Sequence, residues 1–207
     1  MVKELSNILK GMLVDLPFLH TVAGLAQPVI DTRYAEAGTD QQAQKIQKKL
    51  PVSYDIEDGM GERALVPDGT KKGILYFEDF GTTPDTGAKV KAGQLAVVSR
   101  LRLVCWVNRQ KILEGDMPKY EEVTANFISE IVARLVKGTG INSTIGISRL
   151  FVTLAGVPIQ DANIFSRYNY DEAELQYLRP PYEYFALDLQ CKFWVSQTCF
   201  KQLNFVQ

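Results

Sequence analysis

His20 is the only histidine in the chain. A His-rich metal site is therefore excluded, and any Ser-His-Asp or Cys-His constellation would depend on this one residue. It sits in the apolar run Phe18-Leu19-His20-Thr21-Val22, just after Pro17, and reads as a structural histidine at a helix end rather than a catalytic base. Gly138-Thr139-Gly140 begins like a phosphate-binding turn. It lacks a third glycine at the required spacing and follows a helix instead of opening one, so it reads as a helix terminator. No GxxxxGK[ST] sequence occurs.

Paired carboxylates are present at Glu57-Asp58, Glu78-Asp79, Glu121-Glu122 and Asp171-Glu172 with Glu174. Adjacent acids in a strand point to opposite faces, so Glu78 and Asp79 cannot converge on one substrate without a bulge. Glu121 and Glu122 suit the first turn of a helix, where the dipole favours negative charge. Asp171 to Glu174 reads as a short helical turn. Cys105, Cys191 and Cys199 have no CxxC spacing, and the first two lie in strand-like apolar runs where a free thiol behaves as a small hydrophobe. The expectation is a reducing compartment, which makes the Asn142-Ser143-Thr144 sequon a chance triplet. These residues supply no catalytic, cofactor-binding or metal site, and the chain is expected to be non-enzymatic.

The elements that position these residues follow from periodicity. Val2, Leu5, Ile8, Leu9, Met12, Leu13 and Leu16 recur at helical spacing, predicting an amphipathic helix closed by Pro17. The charges Lys3, Glu4, Lys10 and Asp15 interrupt any continuous apolar stretch there, so the start does not read as a signal peptide. Residues 17–38 read as loop with a strand at 29–34, and 39–50 as a short polar helix with Ala43, Ile46 and Leu50 as its stripe. Strands are expected at 52–56 and 74–80. Asp58-Gly59 and Asp68-Gly69 signal turns, and 81–93 reads as a long polar loop.

Leu95–Val107 places Leu95, Val97, Leu101, Leu103, Cys105 and Val107 on one face. Arg100 and Arg102 lie on the other, among Ala96, Val98, Val104 and Trp106. Such a strand is central in a sheet, with its arginines at a rim or paired with carboxylates. Tyr120 to Val136 is the clearest helix, with Tyr120, Val123, Phe127, Ile131 and Leu135 on its apolar face. Strands follow at 147–154 and 159–165. The last element, 184–196, alternates cleanly: Phe185, Leu187, Leu189, Cys191, Phe193 and Val195 against Tyr184, Asp188, Gln190, Lys192, Trp194 and Ser196.

The order predicts an α+β fold. A mixed, mainly antiparallel sheet carries two principal helices on one face and long polar loops. One α/β domain over 1–207 is expected, with a loop-rich region 51–94 that reads as an insertion. With 23 Lys and Arg against 24 Asp and Glu, the net charge of −1 leaves no clustered basic footprint for a nucleic-acid backbone. No segment approaches the roughly 18 apolar residues of a membrane span.

One local feature stands out. Tyr168, Tyr170, Tyr177, Tyr182 and Tyr184 crowd one stretch with Phe165, Phe185, Arg167, Arg179 and Pro180-Pro181. Tyr and Arg are enriched in binding hot spots, so Arg167, Tyr168, Tyr170, Tyr177, Arg179, Tyr182 and Tyr184 are interface candidates, together with Arg100, Arg102 and Trp194. The alternative is a connection whose tyrosines pack over the sheet. Stacking on RNA is a lesser option, opposed by the acids Asp171 to Glu174.

This element order, with Ser166-Arg167-Tyr168-Asn169-Tyr170-Asp171-Glu172 leading through Pro181-Tyr182 into Phe185-Ala186-Leu187-Asp188, resembles the tail-terminator and neck-completion proteins of tailed bacteriophages and prophages. The likeness is one of size and order over most of the chain. It implies a structural protein without an active site or cofactor, in the virion after synthesis in the host cytoplasm. It also implies a homo-oligomeric ring, hexamer or dodecamer, joined to tail-tube, portal or neck proteins. Loop 81–93 and the tyrosine segment would then be contacts. Two other readings stay open: a small-molecule-binding or enzymatic domain with a pocket near His20 or Tyr168–Tyr184, and a cellular adaptor.

Overall fold

The computed structural model describes residues 1–34, 45–53, 63–113, 120–137 and 147–196. Its centre is the pair of strands with the strongest alternation. β5 (Gln94–Asn108) and β7 (Tyr182–Ser196) pair antiparallel along their whole length, from Gln94 opposite Ser196 to Asn108 opposite Tyr182. Around them β1 (Thr21–Tyr34), β2 (Lys45–Ser53), β3 (Arg63–Ala64), β4 (Gly73–Pro84) and β6 (Ile147–Leu154) complete a seven-stranded sheet of order β3-β2-β1-β4-β5-β7-β6. Among the described residues only β1 and β4 pair in parallel, and the other neighbours are antiparallel. The expected mixed, mainly antiparallel α+β fold is the one found.

Helices α1 (Val2–Leu13) and α3 (Tyr120–Lys137) lie on one face of this sheet, and α2 (Arg109–Ile112) is a single turn after β5. The apolar stripe Leu5, Leu9 and Leu13, continued by Leu16, packs with Val123, Phe127, Ile131 and Leu135 on the odd-numbered residues of β5 and β7. Cys105 and Cys191 are buried free thiols in this layer, and burial pushes the Cys191 thiol up to about 12. Both are therefore inert packing groups.

The opposite face carries a second, aromatic core. Ile74, Tyr76, Val104, Trp106 and Ala186 from the strands meet Ile164, Phe165 and Tyr168 from the connection between β6 and β7. This connection, residues 155–181, is a strap that crosses the sheet. It leaves the β7 edge through reciprocal backbone bonds between Ile159 and Ala186 and reaches β2, where Asn169 N–H donates to Lys49 O. Its turn α4 (Glu172–Leu175) is closed by a capping box between Asp171 and Glu174.

Several expectations are corrected. The strand expected at 29–34 is present, but it begins at Thr21 where loop was expected, because β1 is held between β2 and β4. Residues 45–53 are a strand, not the tail of a polar helix: Leu50 and Val52 are buried at a spacing of two, and pairing with β1 overrides the helical stripe. Residues 39–44, 54–62 and Gly138 lie outside the described residues. Residues 159–165 form one bridge at Ile159 and a 3-10 turn over Ala162–Phe165 instead of a strand. The loop after β4 begins at Asp85 rather than Gly81. Asp68-Gly69 is the expected turn, with Thr70 N–H donating to the Asp68 carboxylate.

One irregularity bears on function. Between the pairs Asp79–Leu101 and Thr82–Ser99, two residues of β4, Phe80 and Gly81, face the single residue Arg100. Gly81 adopts φ +107°, a conformation closed to side chains, and this β-bulge sets Phe80 beside the arginines of β5.

Candidate functional site

The strap covers only half of its face of the sheet. Beyond Val104 and Ala186 the same face continues through Arg102, Arg100 and Val98 on β5, Asp188, Gln190, Lys192 and Trp194 on β7, and Phe151 and Thr153 on β6. Here Phe80 is 47% exposed and Phe151 48% exposed. A groove of about 400 Å³ opens at the border, lined by Phe80, Arg100, Leu101, Ala155, Asp188, Leu189 and Gln190.

Register builds the groove's polar wall. Glu78, Arg102 and Asp188 are directly opposed on the adjacent strands β4, β5 and β7. Arg102 grips Asp188 with two bonds, Nε to Oδ1 at 2.7 Å and Nη2 to Oδ2 at 3.1 Å. The Asp188 hydrogen bond holds the Arg102 guanidinium above its ordinary pKa, against the opposing effect of burial. Glu78 is only 1% exposed and accepts two bonds from the strap, one from Tyr168 Oη at 2.5 Å and one from Arg167 Nη1 at 3.2 Å. Buried charge of this kind is tolerable only when paired and hydrogen-bonded. The guanidinium carbons of Arg102 and Arg167 lie 4.6 and 5.3 Å from the centroid of the Phe80 ring, the geometry of cation–π contact.

The sequence candidates therefore separate into two groups. Tyr168 is buried, and Tyr170, Tyr177, Tyr182 and Tyr184 are half-buried against the aromatic core. Tyr182 stacks on Trp106, and the Trp106 indole donates to Tyr177 O at 2.7 Å. Their positions are those of the packing alternative. Burial, with Glu78 nearby, raises the Tyr168 phenol, and burial raises the Tyr170 and Tyr76 phenols too. All three stay protonated and act as donors or packing groups, not as bases. Arg100, Arg167 and Arg179 are exposed, Arg102 and Trp194 half-buried. Trp194 meets Phe151 edge-on, and Lys192 lies over the indole while pairing with Asp85 at 2.5 Å. Thus Arg100, Arg102 and Arg167 are brought together; Arg179 is on the far part of the strap.

His20 is exposed at the start of β1, with its N–H bonded to Gly73 O, and neither described cavity includes it. Glu78 and Asp79 point apart as expected, one buried and one exposed. Sequence reasoning missed Glu78 and Asp188 as the anchors of the arginines, and Phe80 as the ring between them. It also missed the buried pair Arg109–Glu183, 2.9 Å apart, whose carboxylate further accepts from the Thr124 hydroxyl. Glu183 and Thr124 border a cavity of about 160 Å³ that Tyr182 and Tyr184 also line. That is smaller than the roughly 300 Å³ at which ligand pockets begin. Among the described residues no group of His, Cys, Asp and Glu could hold a metal ion, and no helix is long and apolar enough to cross a membrane. No family model matches the chain, and no curated protein sequence matches it.

Proposed function

We propose that the chain is a non-enzymatic assembly protein of a phage or phage-like particle, forming a ring at the tail end or the head–tail neck and residing in the virion. The observation that supports this reading is the uncovered half of the sheet face. It sets Phe80 beside Arg102 and Arg167, and Phe151 against Trp194, aromatic and arginine side chains of the types enriched at protein interfaces. Apart from Arg100, the charged groups there are tied into ion pairs that hold a fixed surface, whereas a reacting group needs a free lone pair or proton aimed at substrate. A ring requires one patch of each copy to meet a different patch on the next, with closure set by the rotation between them.

Sedimentation velocity over a concentration series, alone and with a tail-tube protein, tests the proposal. Hexamers or dodecamers are expected, and a monomer under every condition would overturn it. Binding of a small molecule is the second reading, favoured by the groove, whose 400 Å³ falls in the range of ligand sites. It opens at Arg100, away from both His20 and the tyrosines.

A further inference from the structure

The charges around the groove do not cancel. Asp188 is consumed by the two-point grip of Arg102, and buried Glu78 is answered by Arg167. Lys192 is paired with Asp85. Arg100 remains: it is exposed at the mouth of the groove, and among the described residues it has neither ion pair nor hydrogen bond through its guanidinium. The bulge places Phe80 and Gly81 opposite it, and the Phe80 ring, 47% exposed, lines the same groove. The uncancelled charge is one unit.

We propose that this groove receives a single carboxylate side chain, flanked by an apolar residue, on a segment of a partner protein. Arg100 is its counter-ion and Phe80 the wall for the apolar neighbour. The inference rests on the protein–protein reading above and names the chemistry of the contact. A guanidinium with all its donors free matches a carboxylate in two-point geometry. Arg102 and Arg167, already held by Asp188 and Glu78, keep the ring and the wall in place before the partner arrives, which limits the ordering cost of binding. A phosphate chain is less well matched, because among the described residues one free cation faces it and Asp188 lies in the same lining.

The probe is a blocked Phe-Glu dipeptide, with its Phe-Gln counterpart, titrated into the isotopically labelled full chain and followed by amide NMR shifts. Saturable shifts are expected at residues 80, 100–102 and 188–190. Affinity should be about tenfold weaker for the Phe-Gln peptide, and for Arg100→Gln with the acidic peptide. Arg100→Lys, which keeps the charge and loses the fork, should fall between. Equal binding of the two peptides, indifference to Arg100→Gln, or absence of shifts at the groove would overturn the proposal. So would displacement of the dipeptide by an equal concentration of inorganic phosphate, which would indicate a small-anion site. Sedimentation reads the underlying function separately. Rings that form in the wild type while the acidic dipeptide leaves the groove unshifted sink the carboxylate site alone, whereas a permanent monomer that binds the dipeptide through Arg100 sinks the ring alone.

Discussion

On the helix side of the sheet, Leu, Ile, Val and Phe from α1, α3, β5 and β7 interlock in one aliphatic layer. On the strap side, tyrosines and a tryptophan pack around a buried carboxylate, the Tyr168 hydroxyl donating to Glu78 and the Trp106 indole to Tyr177 O. The first layer is non-directional and tolerates any well-shaped apolar set. The second depends on particular partners, since a buried polar group without one is costly. The contrast implies that the helix face supplies most of the stability, while the strap face fixes a particular surface for use.

Truncation gives the largest expected effect. Phe185→Ala removes a fully buried ring from the helix face and should cost about 3–5 kcal/mol in urea unfolding. Tyr184→Ala, the next residue but on the strap face, is half-buried and should cost about half as much. Equal losses would erase the distinction between the two layers.

The pair Arg109–Glu183 sharpens it, because it is a buried ion pair between α2 and the start of β7. Burial raises the Glu183 carboxyl above its ordinary 4.5, against the pull of Thr124 and Arg109. Arg109→Met removes the opposing charge and should raise it further. A raised carboxyl contributes stability that is present below its unfolded value and lost as pH rises through its folded value. The variant should therefore be little affected below pH 4.5 and lose about 3 kcal/mol near pH 7. Adding Glu183→Gln should recover most of that loss. A deficit independent of pH would mean that packing, and not charge, is what Arg109 contributes.

How much of this was legible in the sequence depended on the distance between partners. The alternation of β5 and β7 and the stripes of α1 and α3 are local patterns, and each element appeared where they placed it. Only residues 29–34 of β1 were legible as strand, because Gln27 and Pro28 break the alternation ahead of them; pairing with β2 and β4 supplies what the local pattern lacks. Lys45 to Leu50 was misread because a spacing of four from Ile46 to Leu50 suits a helix until a neighbouring strand claims the backbone. The arginines of the groove were legible as candidates, but their anchors were not. Arg102 and Asp188 are separated by 86 positions, and Arg167 and Glu78 by 89, so only the sheet register and the path of the strap bring them together. The tyrosine cluster was visible by composition alone, which does not distinguish a core from an interface.

The smallest effect concerns the outer end of the strap, and it separates the covered half of the face from the open half. Lys48 on β2 reaches Asp171 at 2.8 Å and Glu174 at 2.5 Å, fastening α4 to the sheet. Burial pulls the Lys48 pKa down, but the hydrogen bonds to Asp171 and Glu174 more than reverse this and leave it raised; the same bond lowers Asp171. A raised lysine contributes below its unfolded value of 10.5 and a lowered aspartate above its unfolded 3.8, so the clamp is complete between those limits. Lys48→Met should shift the global unfolding midpoint little, because the two bonds it loses fasten only the short α4 at the outer end of the strap. It should instead speed amide exchange locally, at Asn169 and through 172–178, with β5 and β7 unchanged. In the wild type the same local loosening should appear as pH falls below 3.8. If exchange at Trp106 and Tyr184 accelerated along with the strap, the strap and the sheet would open as one unit, and the aromatic layer would belong to the main core after all.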